Sequence, residues 1–197
     1  MKKVFFGILL AMAGLVSILA VPAQILLMNF VPSAKLLSAL FTLVMYLATA
    51  LGYWLIMSGA EGLPQTQFWH YAGKFSKILC AYNVAMGLLV FMQHMDLFTL
   101  NLPTLVSQVL YYITDLGSFF IMYFCVLGVR ELQYLSRRNL YADRIQKCFS
   151  AWMVIRLLAS LITGWLYILS IGAYVVMLVF YGKAAWAYDK RNPYQEF

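Results

Sequence analysis

Long apolar runs alternate with short polar connections along the chain. A helix that crosses the hydrocarbon core of a bilayer, about 30 Å thick, needs about 20 mostly apolar residues. Turn-prone and charged residues divide the sequence into runs of about this length. The pattern predicts six transmembrane helices, over about 4–28, 36–57, 75–98, 104–129, 145–165 and 167–186.

The first run raises the question of a cleaved leader, because Val21-Pro22-Ala23 resembles a signal-peptidase site. The apolar stretch from Val4 to about Met28 is longer than the roughly 7 to 15 residues of a signal-peptide core, and it continues past that site. We therefore expect this segment to be a retained helix.

The last apolar run decides between five crossings and six. From Cys148 to Tyr181 it provides about 34 residues, or about 51 Å of helix, whereas two crossings need about 60 Å. Residues at headgroup level on both sides extend it to about 42 residues, or about 63 Å. A tight turn at Thr163-Gly164 or at Ser170-Ile171-Gly172 then separates the fifth helix from the sixth.

The positive charges favour six crossings, because Lys and Arg are enriched in the cytoplasmic connections of membrane proteins. With the N-terminus inside, twelve of the fourteen lie on the cytoplasmic side, namely Lys2, Lys3, Lys74, Lys77, Arg130, Arg137, Arg138, Arg144, Lys147, Lys183, Lys190 and Arg191. Lys35 remains outside and Arg156 lies within a helix. Five crossings would put the last three of the twelve on the wrong side, so both termini are predicted to be cytoplasmic.

Composition defines the class of protein. Hydrophobic residues make up 64% of the chain and charged residues 11%, whereas a soluble domain is about half apolar and about a quarter charged. The sequence predicts one membrane domain over residues 1–197. This domain is an all-α polytopic transmembrane helical bundle of the cell (plasma) membrane, with both termini inside (N-in/C-in). The positive residues that give the net charge of +7 lie between apolar runs. The expected partner is therefore the lipid bilayer and not nucleic acid.

The chain also resembles itself at an offset of 70 residues. Glu61, Tyr71, Ala72, Lys77, Ala81, Val84 and Leu88 match Glu131, Tyr141, Ala142, Lys147, Ala151, Val154 and Leu158. Both copies cover a cytoplasmic connection and the start of the next helix in one orientation. This pattern predicts a parallel duplication of a two-helix unit, a type of repeat that transporters contain. Matching through biased composition is the alternative.

Two ionisable residues fall inside predicted helices, where a charge is costly and indicates a functional site by default. Asp115 lies about 22 Å from the charge of Arg130 at the cytoplasmic boundary, and Arg156 lies about 14 Å beyond Lys147. Because their helices are sequential and antiparallel, we predict an ion pair near the midplane. The pair either fastens two helices together or lines a polar cavity that binds a substrate group or exchanges a proton.

Further polar residues extend this candidate site. Gln108 lies on the same helix face as Asp115, and Asn83 lies on one face of the third helix with His94. A histidine near carboxylates can move protons, whereas a hydrogen bond to a neighbouring group is the alternative for a polar residue in a membrane. The candidate residues for a polar cavity or a substrate are Asp115, Arg156, Asn83, His94 and Gln108.

Catalytic and metal-binding signatures are absent from the sequence. It contains no GxSxG, HExxH, GxGD or Walker A motif. Its two histidines cannot form a multi-histidine site, and Cys80, Cys125 and Cys148 lack metal-ligand spacing. We expect no catalytic residue, no metal, no cofactor and no enzymatic activity.

Small residues and tryptophans indicate what the predicted helices contact. Small residues on one face of the first helix predict close packing against another helix of the chain, a second copy or a partner subunit: Gly7, Ala11, Gly14 and Ser17. Tryptophans predict anchoring at the membrane interface: Trp54, Trp69, Trp165 and Trp186.

Two classes of function agree with these patterns. Six helices, a possible duplication and midplane charges favour a small-solute transporter or the membrane subunit of one. If the charges only hold helices together, the alternative is a non-catalytic accessory or regulatory membrane protein.

Overall fold

The computed structural model describes residues 1–11, 34–64, 66–97, 104–161 and 165–189. Within these ranges the chain is entirely helical and contains no strand. The described ranges contain six helices: α1 (Lys2–Ala11), α2 (Ala34–Glu61), α3 (Gln67–His94), α4 (Thr104–Ser136), α5 (Ala142–Leu161) and α6 (Trp165–Asp189).

Helices α3 and α4 extend beyond the apolar runs that predict them. Helix α3 begins at Gln67, after Thr66 in an extended conformation, and α4 ends at Ser136. The added segments carry exposed charged side chains such as Lys74 and Arg130. Lys, Arg and Glu are good helix formers, so backbone hydrogen bonding continues where hydropathy falls. Hydropathy therefore marks where a helix leaves apolar surroundings and not where it ends.

The six described helices pack in chain order as a closed ring. Each of them contacts the next described helix along the chain, and α1 contacts α6. The rings of Phe5 and Trp186, with centroids 5.4 Å apart, join α1 to α6. Side chains fill the interior: the Tyr174 hydroxyl of α6 lies 3.4 Å from the Ile8 carbonyl oxygen and 3.8 Å from the Met122 sulfur. Helices α1, α4 and α6 therefore meet inside the ring.

Small residues let α1 approach α2 closely. A Cβ added at Gly52 would lie 2.5 Å from the Ala11 backbone nitrogen, and one added at Gly7 would lie 2.6 Å from the Gly52 carbonyl oxygen. The predicted small-residue face thus contacts another helix of the same chain at Gly7 and Ala11, one of the alternatives left open. Gly14 and Ser17 lie outside the described residues, and a second copy or partner subunit on this face stays a prediction.

Three helical segments among the described residues are long and apolar enough to cross a membrane: Leu36–Glu61, Gln67–His94 and Ile168–Asp189. Large apolar side chains on them face outwards, including Ile78 at 65% and Ile168 at 61% exposure. A soluble helix buries its apolar face, so outward apolar surface of this extent is typical of lipid contact. An all-helical fold in the described ranges, with three helices long and apolar enough to cross a membrane, fits the prediction, whereas six crossings and the side of the termini stay predictions.

Positive charge collects at one end of the bundle. Helices α1, α3 and α5 start at this end and α2, α4 and α6 finish there, as the contacts of Trp69 with Gly128 and of Lys2 with Asp189 indicate. The described positive residues at this end, which we name the basic end, are Lys2, Lys3, Lys74, Lys77, Arg130, Arg137, Arg138, Arg144, Lys147 and Lys183.

Trp69 does not anchor the interface as predicted. Its side chain is 1% exposed, whereas Trp54 is 48% and Trp186 45% exposed. A Cβ added at Gly128 would lie 2.6 Å from the Trp69 indole, so the missing side chain of that glycine makes room for the ring. The prediction is wrong for Trp69. Its burial depends on the space left by a glycine of the facing helix, which hydropathy along one helix does not reveal.

Candidate functional site

Asp115 of α4 and Arg156 of α5 form the ion pair predicted from the sequence. Arg156 Nη2 donates to both carboxylate oxygens, at 3.2 Å to Oδ2 and 3.4 Å to Oδ1. The Arg156 side chain is 6% exposed and that of Asp115 is 31% exposed. The ion pair is therefore confirmed. Because a desolvated charge is costly unless it is paired, the buried guanidinium depends on this carboxylate.

An aromatic layer lies one helical turn from the ion pair, towards the basic end. Trp152 of α5 packs with its ring centroid 4.8 Å from that of Phe119, 5.7 Å from that of Phe149 and 5.1 Å from that of Tyr174. The four rings belong to α4, α5 and α6. Such contacts stabilise a core beyond the burial of area alone. Buried aromatic packing therefore lies next to the ion pair along α4 and α5 on this side.

The Tyr53 and Tyr174 side chains, which the sequence did not single out, are buried inside the ring. Ser118 donates a hydrogen bond to the Asp115 carbonyl oxygen at 2.7 Å, and the Tyr53 hydroxyl lies within hydrogen-bonding reach of Ser118. Tyr53 and Tyr174 are each 3% exposed. Tyrosine is common at membrane interfaces as well as in cores. The sequence therefore gave no signal that these two tyrosines are buried inside the ring.

The remaining predicted site residues form local contacts. Asn83 is 2% exposed, and its Nδ2 donates to the Leu79 carbonyl oxygen at 2.7 Å. His94 Nδ1 lies 2.9 Å from the Val90 carbonyl oxygen. Both bonds stay within α3. The Gln108 side chain lies outside the described part of the chain, and the assignment of these residues to a polar cavity or a substrate stays a prediction.

Two cavities open at the basic end. The first has a volume of about 240 Å³ between the end of α2 and the start of α3, and its lining residues are Met57, Ala60, Glu61, Trp69, His70, Gly73, Lys74 and Lys77. The second has a volume of about 460 Å³ where α4 ends and α5 begins, and its lining residues are Arg130, Gln133, Tyr134, Arg137 and Asp143. Both cavities are lined by charged side chains, and the Asp115–Arg156 pair is in neither lining.

The connection between α4 and α5 is fastened on both sides. Gln133 Oε1 accepts hydrogen bonds from the backbone N–H of Leu140, at 2.9 Å, and of Ala142, at 3.2 Å. Arg138 Nη1 donates to the Tyr188 carbonyl oxygen at 3.1 Å. These side chains satisfy backbone groups at the start of α5 and the end of α6, which a helix cannot satisfy within itself. The positive guanidinium also suits the negative end of the α6 dipole.

Asp189 joins the end of α6 to the start of α1. Its carboxylate lies 3.6 Å from the Met1 amino group and 3.7 Å from Lys2 Nζ. Burial lowers the pKa of the Met1 amino group from its ordinary value, and the Asp189 charge opposes this shift. Lys2 also lies 5.8 Å from the centre of the Trp186 ring, a cation–π contact.

Around the Asp115–Arg156 pair and at the basic end, the described contacts are ion pairs, hydrogen bonds and aromatic packing. Within the described ranges no three His, Cys, Asp or Glu side chains are grouped so that they could hold a metal ion. Comparison with known protein families, with characterised proteins and with solved structures finds no match.

Proposed function

We propose that this chain is a six-crossing integral protein of the cell membrane with both termini in the cytoplasm, and that it acts as a non-catalytic accessory or regulatory subunit. The Asp115–Arg156 pair carries the second part of the proposal. A 6% exposed guanidinium held at 3.2 Å by a carboxylate of the neighbouring helix fastens α4 to α5. Polar groups that join neighbouring helices contribute to the assembly of a membrane bundle, so this contact supports a structural role for the pair.

The arrangement of charge supports the proposed topology. The start of α1 and the end of α6 lie at the same end of the bundle, where Lys2 contacts Asp189. The described lysines and arginines outside the ion pair are concentrated at this end. Because such residues stay on the cytoplasmic side during insertion, this end is assigned to the cytoplasm.

Cysteine labelling in intact cells tests the topology. In a background with Cys80, Cys125 and Cys148 replaced by alanine, Lys183→Cys is expected to resist a membrane-impermeant maleimide until the cells are opened. Asp96→Cys, just after the opposite end of α3, is the matched control and is expected to react in intact cells. Labelling of Lys183→Cys in intact cells would contradict the arrangement.

A double-mutant cycle tests the structural role of the ion pair. Asp115→Leu leaves Arg156 without its carboxylate, and we expect it to lower the free energy of unfolding by about 3 kcal/mol, the lower end for a buried pair because Asp115 is partly exposed. Asp115→Leu combined with Arg156→Met is expected to recover most of this loss, since two apolar residues restore a compatible contact. Unfolding of the purified chain in mixed micelles measures both effects.

Glu61→Ala, at an exposed carboxylate on α2, is the control for loss of one negative charge, with an expected change below about 0.5 kcal/mol. A double variant no more stable than Asp115→Leu would reject a purely structural pair. The same conclusion would follow if vesicles with the wild-type chain took up labelled sugars, amino acids or vitamins faster than empty vesicles and the stable double variant did not.

A small-solute transporter, or its membrane subunit, is the second candidate. The observation in its favour is the unequal burial of the pair: the Asp115 carboxylate is 31% exposed although its partner is 6% exposed. One side of the carboxylate is therefore open to approach, as a proton- or substrate-binding group requires. The uptake comparison distinguishes this candidate from the first.

A further inference from the structure

The smaller cavity at the basic end has the form of a groove between two helices. The end of α2 provides one wall through Met57 and Ala60, and the first turns of α3 provide the other. Gly73 lies in the lining, and a Cβ added there would meet only the Ala60 Cβ, at 3.8 Å. The absence of a side chain at this position keeps the groove open.

Hydrogen-bond donors and positive charge are concentrated in this groove. His70, Lys74 and Lys77 lie at helical spacing along one face of α3, and all three side chains are exposed. Trp69 also lines the cavity, but its ring is 1% exposed and packs against Gly128 of α4, so it contributes a wall and no accessible donor. Glu61 contributes the one carboxylate of the lining. The excess of positive groups and donors complements an anion such as a phosphate.

Apolar surface continues from the groove along both helices. Trp54, one turn before Met57 on α2, is 48% exposed, and Ile78, next to Lys77 on α3, is 65% exposed. The segments Leu36–Glu61 and Gln67–His94 that form the walls are both apolar enough to span a membrane. A ligand in this position meets charge at its head and apolar surface along its tail, so an amphipathic anion fits better than a soluble one.

We propose that this groove binds the headgroup of an anionic phospholipid. The phosphate contacts Lys74 and Lys77, with His70 beside it, and the acyl chains lie along the exposed apolar surface of α2 and α3. This inference rests on the proposed placement of the basic end at the cytoplasmic face, where basic pockets between helices bind anionic headgroups.

Lipid binding to the full chain, purified in mild detergent and measured by native mass spectrometry, tests the site. The probes are phosphatidylglycerol, phosphatidylethanolamine and soluble glycerol phosphate. Wild-type chain is expected to bind phosphatidylglycerol most tightly. Replacing Lys74 and Lys77 by glutamine is expected to weaken this binding by about 25-fold, at about fivefold per lysine. Replacing Lys147 and Lys183, also exposed at the basic end, removes the same charge and is the matched control.

Two variants test the groove without removing a positive charge. Gly73→Leu places a side chain in the open space and is expected to abolish tight binding, while the chain stays folded because leucine is a better helix former than glycine. Glu61→Gln removes the opposing carboxylate and is expected to tighten binding severalfold.

Equal losses in the two lysine pairs would show diffuse attraction to net charge and overturn the site. Unchanged binding in Gly73→Leu would also overturn it, as would phosphatidylethanolamine or glycerol phosphate binding as tightly as phosphatidylglycerol. Failure of the site leaves the labelling pattern and the Asp115–Arg156 cycle unchanged. Failure of the proposed topology instead appears as labelling of Lys183→Cys in intact cells, whatever the lipid affinity.

Discussion

Two glycines have opposite surroundings, and this difference gives a prediction at the scale of single residues. A methyl group at Gly52 would lie 2.5 Å from the backbone of α1, whereas one at Gly172 of α6 would meet nothing within 4 Å. We expect Gly52→Ala to lower the free energy of unfolding by about 2 kcal/mol, because the two backbones must separate. Gly172→Ala is the matched control and is expected to be neutral or to stabilise by up to about 1 kcal/mol.

Unfolding of both variants in the same micelles measures the difference. Equal stability of the two would show that α1 does not pack against α2 as described.

Sequence could predict the Asp115–Arg156 pair because two opposite charges in adjacent antiparallel helices have few other ways to avoid the cost of burial. The buried roles of Tyr53, Tyr174 and Trp69 could not be predicted in the same way. An aromatic side chain with one polar atom is suitable for a core, an interface or a lipid surface, and the facing helix decides among these. The groove lining at Lys74 and Lys77 was likewise seen from sequence only as a topology signal.

The end of a helix provides a prediction at the scale of elements. Gln133→Ala removes the acceptor for the Leu140 and Ala142 amides, and we expect the start of α5 to become less stable by about 1 kcal/mol, the usual value of a lost cap. Hydrogen exchange at these amides should then be about fivefold faster. Gln133→Glu retains an acceptor beside the positive end of the α5 dipole and should keep the wild-type protection.

If exchange at the two amides were the same in all three chains, the Gln133 contact would not stabilise the start of α5.

The predicted repeat also concerns the elements. Helices α3 and α5, which carry most of the matched residues, begin at Gln67 and Ala142, 75 positions apart and not 70. The repeat stays a prediction. Periodicity could predict the helices of the described ranges, but their charged ends depend on backbone hydrogen bonding, which hydropathy does not report.

The closed ring makes a prediction at the scale of the whole molecule. Phe5 and Trp186 are in contact although they lie near opposite ends of the sequence. With the native cysteines replaced by alanine, Phe5→Cys and Trp186→Cys should be joined within one chain by a short bifunctional maleimide. Phe5→Cys with Asp96→Cys, a residue near the other end of the bundle, should remain unlinked. Equal cross-linking of both pairs, or of neither, would contradict the contact between α1 and α6.

Packing in chain order also has a consequence for biosynthesis. As the polypeptide leaves the ribosome, each new helix meets the one made just before it, so most contacts form between segments that are close in sequence. The contact of α1 with α6 is different, since it must wait until α6 has been translated. Until then, the surface of α1 around Phe5, which later contacts Trp186, is uncovered. A nascent chain halted before α6 would expose this surface to the insertion machinery and to quality control.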